Sequence, residues 1–436
     1  MKSRENSIVT TNERMLTLTR SRFAQRLSYA LLCMLIIFLF FQTYRRGLQP
    51  LGSDLRSFLE SSQALLRGNN SYQTESAFPY LYPLFLAFIL IPLSLIPLWL
   101  STGLWFLANM SAFLYAISVV PNLALDKPRI NRHELWGVPL LVLFGLMFNP
   151  IQNEFVNGQV NSIILLCCVL FLKNLLEDRK LLASILLAVG ISVKLFPLLL
   201  VVFLLFRKEY RIAAITGAGT VLFCIAPALL LGRQAGPVLI DYIRSIIVEG
   251  GFLSAQAHGH PAQYTFAGFV SFWFPAVARW PLLKPVCGLM VLMLLVVLEV
   301  HRLRHGGREG DPAAVWRFCL YLTAMLLIVP MSETHYQLFI IPAVSLFALA
   351  LWADPRKISL FLKGGFLLFI AFFYAGKLVK NSPFYFLAIS VLFALFFFIL
   401  WRGQPIPSPI KRNSPECSSL RRDPRRFRNA RTQDRT

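Results

Sequence analysis

The 436-residue chain is 15% charged, against about 25% in ordinary globular proteins, and 56% AVILMFWYC; its mean hydropathy is +0.60. So little charge cannot cover the soluble domains that the length would suggest, and the same numbers exclude a disordered, collagen-like or disulfide-scaffold chain. The net charge of +22 gathers outside the apolar runs, which indicates membrane topology and anionic lipid as the partner of the basic residues, with no nucleic acid expected.

The leading segment 1–26 carries six Lys/Arg against two acids, and a basic flank beside an apolar run marks the cytoplasmic side. The first run, 27–44, ends on Phe40-Phe41-Gln42-Thr43-Tyr44 without a small-residue cleavage site, so it reads as a retained span and not a signal peptide. An outer loop over 45–79 follows. In it Asp54 opens an amphipathic stretch whose Leu55, Phe58, Leu59, Leu65 and Leu66 can rest on the membrane and hold a carboxylate near the headgroups. The same spacing also suits Asp54 as a helix N-cap. The stretch 80–98 contains Pro83, Pro92 and Pro97, with Pro79 just ahead, breaks too close together for an ordinary crossing. It is expected to form a juxtamembrane or re-entrant helix on the outer side.

A crossing over 101–122 returns the chain to a basic cytoplasmic loop with Lys127, Arg129 and Arg132. The run 135–149 then leads out to Asn149, Pro150, Gln152, Asn153, Glu154, Asn157, Gly158, Gln159 and Asn161. Clustered amides and a carboxylate are the inventory that recognises sugar hydroxyls or phosphate oxygens, although Asn and Gly also form ordinary turns. After the span 160–176 and the basic Arg179-Lys180 comes 181–206, where Lys194-Leu195-Phe196-Pro197 sets a charge before a helix breaker. Two short helices turning at Lys194 fit this better than one long one. Lys194 then lies at the outer face, with few routes to water and a need for an anionic partner such as a phosphate; simple snorkelling is the plainer alternative.

Arg207, Lys208 and Arg211 are cytoplasmic, 212–232 crosses outward, and the outer stretch 233–281 carries Arg233, Asp241, Arg244, Glu249, His258, His260 and Tyr264. His258 and His260 have no further Cys or His at ligand spacing, so no zinc site is expected. Spans 282–300, 316–331, 336–352, 358–376 and 384–401 follow, with basic cytoplasmic connections over 301–317 and at Arg356-Lys357. Between two of them, the outer turn Ser332-Glu333-Thr334-His335-Tyr336-Gln337 brings a carboxylate, an imidazole, a phenol and an amide together. The tail 402–436, ten Lys/Arg against three acids, is expected to be a disordered cytoplasmic segment.

The sum is an all-α polytopic membrane protein of about twelve crossings with both termini in the cytoplasm: a basic segment 1–26, a membrane domain 27–401, and the tail 402–436. Seven cysteines lie mostly inside apolar runs and show no CxxC spacing, so neither a metal nor a disulfide framework is expected. The cytoplasmic loops hold no GxxxxGK[ST] and no GxGxxG after a strand, which argues against a nucleotide substrate on that side. Short loops favour a bacterial cell membrane.

Taken in order, Asp54 with Leu66-Arg67-Gly68 and Tyr72, Tyr82-Pro83, Gly158-Gln159-Val160-Asn161, Lys194-Leu195-Phe196-Pro197, and Ser332 with His335-Tyr336 resemble glycosyltransferase family 87 across residues 27–352. These are polyprenol-phosphate-mannose-dependent mannosyltransferases of the GT-C fold. The chain departs from the pattern at Leu84, where the family commonly has a second proline, and Glu154 has no matching family position. The resemblance implies a GT-C-type bundle, a lipid-linked sugar donor, mannose first, on the periplasmic or extracellular face, and a catalytic base at Asp54.

On that reading Asp54 takes a proton from a hydroxyl of a lipid or glycan acceptor, with inversion. Lys194 and His335 hold the donor phosphate, and Gln159, Asn161, Asn157, Glu154, Tyr82 and Tyr336 contact sugar and acceptor. No cofactor is expected, and a loosely held divalent ion on the leaving phosphate is compatible with the scheme. The competing class is a transporter or lipid flippase for a glycolipid or polyprenyl phosphate, which also needs many spans and embedded polar residues. Against it, no inverted repeat of polar-broken spans is visible across the two halves.

Overall fold

The computed structural model describes residues 22–49, 52–124, 137–244, 264–277, 280, 282–305, 311–329, 332–353, 358–379 and 382–402. The tail, most of the basic N-terminal segment, the Lys127–Arg132 and Arg356-Lys357 loops, and Glu249, His258 and His260 lie outside the described residues.

Every regular element among the described residues is helical. The helices relevant here are α1 (Arg22–Gly47), α2 (Asp54–Leu66), α3 (Leu84–Ile89), α4 (Ile91–Ser94), α5 (Leu98–Ala124), α6 (Val138–Leu146), α7 (Phe148–Val156), α8 (Asn161–Leu176), α9 (Lys180–Val193) and α10 (Leu199–Phe206). A 3-10 turn, Phe196–Leu198, separates α9 from α10, and a second, Thr334–Ile340, leads into Ile341–Ala353. Among the described residues seven helices are long and apolar enough to cross a membrane, and α7 with α8, bent by 115°, makes an eighth when taken as one broken span. Lys180–Val193, Phe196–Phe206 and Ala313–Ile328 are apolar but shorter, below the roughly 20 residues that cover the hydrocarbon unaided. They supply part of the difference from the twelve crossings expected.

Fully buried aromatics, among them Phe113, Phe144, Phe171, Phe203, Tyr321 and Phe339, fill the space between helices. The outward face of α1 is apolar too, with Leu31, Met34, Ile37, Phe38 and Phe41 exposed. A helix that is apolar on both its packed and its open face is one whose solvent is lipid.

The prolines act as the sequence suggests, and their effect is local. Pro83 immediately precedes α3, Pro92 sits in the first turn of α4, and Pro97 precedes α5. Each therefore starts a helix, where a missing N–H costs nothing, and the stretch 80–98 becomes two short helices packed on α2 before the long α5 begins. Two further expectations are corrected. The polar stretch after Asn149 is helical through Val156 instead of looping from residue 150, because Pro150 falls in the first turn and Asn153 Nδ2 bonds back to the Asn149 carbonyl at 3.0 Å. Arg317 is not a loop cation: it is buried and forms a paired bond to Glu299, Nε to Oε1 at 2.9 Å and an Nη to Oε2 at 2.8 Å. A guanidinium fork matches a carboxylate edge, which lets both charges leave water together.

Candidate active site

The site is assembled where three chain breaks meet. At the first, Ser53 is extended and makes no capping bond, so Asp54 is the first residue of α2 and not its N-cap. Its backbone N–H donates to the Asn157 carbonyl at 3.0 Å, tying the start of α2 to the bend between α7 and α8. That bend exists because Gly158 adopts φ +65°, a conformation that costs other residues energy. Trp105 Nε1 clamps it by donating to the Gly158 carbonyl at 2.9 Å.

A Cβ at residue 158 would sit 3.0 Å from both Leu55 Cβ and Ser53 Oγ, so strain and crowding would fall on the residues beside Asp54. Gly158→Ala is expected to destabilise the protein by about 1–3 kcal/mol and to reduce activity with it. Thermal unfolding in detergent checks this: an unchanged midpoint would refute it.

At the second break α9 ends at Val193 and Lys194 turns extended, φ −155° and ψ 131°, before the 3-10 turn at Phe196. This is the two-helix reading of 181–206. At the third, Thr334–Ile340 delivers His335, Tyr336 and Gln337.

One hydrogen-bonded chain joins the first two breaks. Gln159 Nε2 donates to Asp54 Oδ2, and Tyr82 OH donates to Gln159 Oε1 at 2.9 Å. Lys194 Nζ lies 3.4 Å from Tyr82 OH and donates to Asn161 Oδ1 at 3.1 Å. Asn161 Nδ2 donates in turn to Glu154 Oε2 at 2.8 Å, and the Ser162 backbone N–H to Glu154 Oε1 at 2.9 Å. Three rings surround the ammonium: Tyr336 at 4.0 Å, Phe196 at 4.8 Å and Tyr82 at 5.0 Å from their centroids. Aromatic faces can hold a cation away from water. The ring of Tyr82 is itself fixed edge-on against Phe58 of α2, 4.9 Å away, and its carbonyl accepts from Tyr72 OH at 3.0 Å.

The sequence-derived candidates therefore divide by what they touch. Asp54, Gln159, Tyr82, Lys194, Asn161 and Glu154 form a single network. Tyr336 joins it through its ring, and His335 lies beside Tyr336, ring centroids 4.5 Å apart and planes tilted by 40°, with Nδ1 3.6 Å from Glu333 Oε2. Asn157 contributes its carbonyl to Asp54, and it also lines a separate cavity beside α1. Glu154, 0% exposed, is wholly engaged in holding Asn161 and the first turn of α8. Gln159 uses both ends of its amide on Asp54 and Tyr82. Both side chains thus bond to protein groups of the network.

Farther along the chain, Asp241 accepts from Asn70 Nδ2 at 2.9 Å and pins the segment after α2. The Tyr264 backbone N–H donates to the Ser332 carbonyl at 3.0 Å. Near His335 in sequence, buried Ser332 Oγ and both amide atoms of Gln337 have no hydrogen-bond partner. Among the described residues no group of three His, Cys, Asp or Glu could hold a metal ion.

Asp54 is partly buried, and burial raises its pKa to about 6; nearby Glu333 pushes in the same direction, while Lys194, Arg46 and the Gln159 hydrogen bond oppose it. A carboxylate so placed is a stronger base than one in water, yet still ionised at neutral pH. The anionic groups within electrostatic reach of Lys194 are Glu154, Asp54 and Glu333. The cluster thus offers a base and a buried cation joined by one tyrosine and one glutamine.

Two residues that matter here were not singled out from sequence. Trp105 sits inside an apolar run, where an indole normally signals only packing. Arg46 was legible as a charge at the end of α1, but nothing local says that it comes within reach of Asp54.

The model of glycosyltransferase family 87 matches residues 80–330, which include Tyr82, Glu154, Gln159, Asn161 and Lys194. A curated relative, the polyprenol-phosphate-mannose-dependent alpha-(1-2)-phosphatidylinositol pentamannoside mannosyltransferase of Mycobacterium tuberculosis (strain CDC 1551 / Oshkosh), is 24% identical over 272 residues. The match covers 61% of this chain and 57% of the relative. No solved structure matches the chain.

Proposed function

Because the chain belongs to glycosyltransferase family 87, whose model covers more than half of it, we propose that it moves a sugar, mannose first, from a polyprenyl-phosphate donor to a lipid or glycan acceptor, with Asp54 as general base and inversion at the anomeric carbon. The observation that carries this reading is the Asp54–Gln159–Tyr82–Lys194 chain. It links a carboxylate just beyond the first apolar helix to a buried amine through two side chains. The name of the mycobacterial relative supports the donor class, and the apolar helices suit a lipid-borne substrate.

The chemistry needs little else. A phosphate leaves as a stable anion, so no second carboxyl is required to protonate it, unlike the leaving oxygen in glycoside hydrolysis. The acceptor oxygen attacks the anomeric carbon as the bond from that carbon to the phosphate oxygen breaks. The hydroxyl proton passes to Asp54, and the electron pair stays on the polyprenyl phosphate. Lys194 and His335 stabilise the phosphate charge that grows as the bond breaks. Tyr336 shields the ammonium from water, and Glu154 with Asn161 holds it in place. We assign the site to the outer face of a bacterial cell membrane, with both termini cytoplasmic.

The decisive test is to incubate membranes containing the protein with radiolabelled polyprenyl-phosphate sugars and identify the labelled product. Label that remains on the polyprenyl phosphate but changes leaflet would support the flippase class instead; label moved to a new glycan supports transfer.

The elevated pKa gives the base a pH signature. Only ionised Asp54 accepts the proton, so the acidic limb of kcat/KM should climb roughly tenfold per unit as pH rises and bend near 6. A pH–rate profile with its acidic limb near the ordinary value of 3.8, or with no limb, would rule out this environment for the base.

A further inference from the structure

Between the last turn of α1 and α7 lies a cavity of about 390 Å³, lined by Arg45, Arg46, Gln42, Gln49 and, from α7 and the bend, Gln152, Asn153, Val156 and Asn157. We propose that this cavity binds the anionic polyol head group of the acceptor, a phosphodiester held by the arginines with its hydroxyls on the amides. The proposal rests on the transferase reading above and deepens it.

Four observations carry it. The wall is made of guanidinium and carboxamide groups with a single aliphatic side chain, the donors and acceptors that suit a phosphate and a ring of hydroxyls. The volume falls within the range of small-molecule sites, about 300–1,000 Å³. The floor is preformed, since Gln152 Nε2 donates to Gln42 Oε1 at 2.8 Å and ties α7 to α1. Finally, Arg46 Nε is buried without a hydrogen-bond partner, a cost that an incoming oxyanion would relieve.

Two alternatives explain less. Cations favour helix C-termini, but one exposed charge would serve that purpose, and Arg45 already supplies it. As topology signals, consecutive arginines belong on the cytoplasmic side, the opposite of the side proposed for Asp54. The position also suits the chemistry. Both Arg46 and Lys194 lie within electrostatic reach of the Asp54 carboxylate, and Asn157 both lines the cavity and accepts the Asp54 backbone N–H. With the donor phosphate at Lys194, the arginine cavity is left for the partner whose hydroxyl Asp54 activates.

The test uses the full chain in neutral phosphatidylcholine nanodiscs and titration calorimetry with three probes: glycerophosphoinositol, an anionic polyol diester; free inositol, the same hydroxyls without charge; and inorganic phosphate. Glycerophosphoinositol should bind wild type at least about tenfold more tightly than either other probe, and the Arg45→Ala/Arg46→Ala protein should lose about tenfold or more. Inositol binding as tightly as the diester, no binding of the diester to wild type, or an unaffected double variant overturns the proposal. Inorganic phosphate binding as tightly as the diester would make this a free-phosphate site and overturns the head-group assignment. Transfer from a polyprenyl-phosphate sugar is scored separately: wild-type transfer with arginine-independent diester binding sinks the subsite alone. Arginine-dependent binding without any transfer sinks the transferase reading.

Discussion

Asp54→Asn should lower the transfer rate by about 10²–10⁴-fold, the usual contribution of a positioned general base, while the protein remains folded and inserted. The substitution keeps the shape of the side chain, and one amide oxygen can still accept from Gln159 Nε2, the partner of Asp54 Oδ2. What disappears is the ability to take a proton. The prediction therefore separates rate from binding: apparent KM for donor should stay within about threefold, since an interaction made only in the transition state changes kcat and leaves ground-state affinity alone. A purified assay showing the Asn variant within a fewfold of wild type would remove Asp54 from the mechanism. The acidic limb of the pH profile should vanish in the same variant, a readout that a structural role for Asp54 would not produce.

Lys194→Met should reduce kcat/KM for the donor by about 10²–10³-fold, comparable to removing one preorganised stabiliser of developing negative charge. Met preserves length and apolar bulk between Tyr82, Phe196 and Tyr336, whose rings stand 4.0–5.0 Å from the ammonium, so packing should survive. The complication is Glu154: it reaches Lys194 through Asn161, and deleting the cation leaves a buried carboxylate without its charge partner. The double variant Lys194→Met/Glu154→Gln resolves it. If Lys194 only balanced Glu154, the double variant would recover donor use along with stability; if Lys194 holds the phosphate, stability returns and donor use does not. Unchanged apparent donor affinity in the single variant would refute the phosphate role outright.

Much of the site was legible because polar residues in apolar surroundings advertise themselves. Asp54 just after the first run, Lys194 ahead of a proline, and the amides around Gly158 all stand out in this way, and they lie in one hydrogen-bonded network. Their bonding partners within it were less legible. Gln159 and Asn161 were expected to meet sugar, yet each directs both amide ends at protein groups. Glu154 carries no local mark distinguishing a ligand-facing carboxylate from one that fastens a helix end. Arg46 and Arg45 were readable as charges without revealing the cavity they share with α7, because that cavity arises from residues some hundred positions apart.

Composition and periodicity alone determined that the chain is helical, belongs in lipid and is interrupted at Pro83, Pro97 and Pro197, since these follow from the cost of exposing apolar surface to water and of breaking backbone hydrogen bonds in hydrocarbon. The tertiary structure decided that residues 54, 82, 159 and 194 join in one hydrogen-bonded chain, and that α7 continues to Val156 before bending 115° into α8. That outcome depends on the left-handed Gly158 fitting under Ser53 and Leu55, and close packing between distant segments is a property of their shapes in contact, which no local stretch of sequence contains.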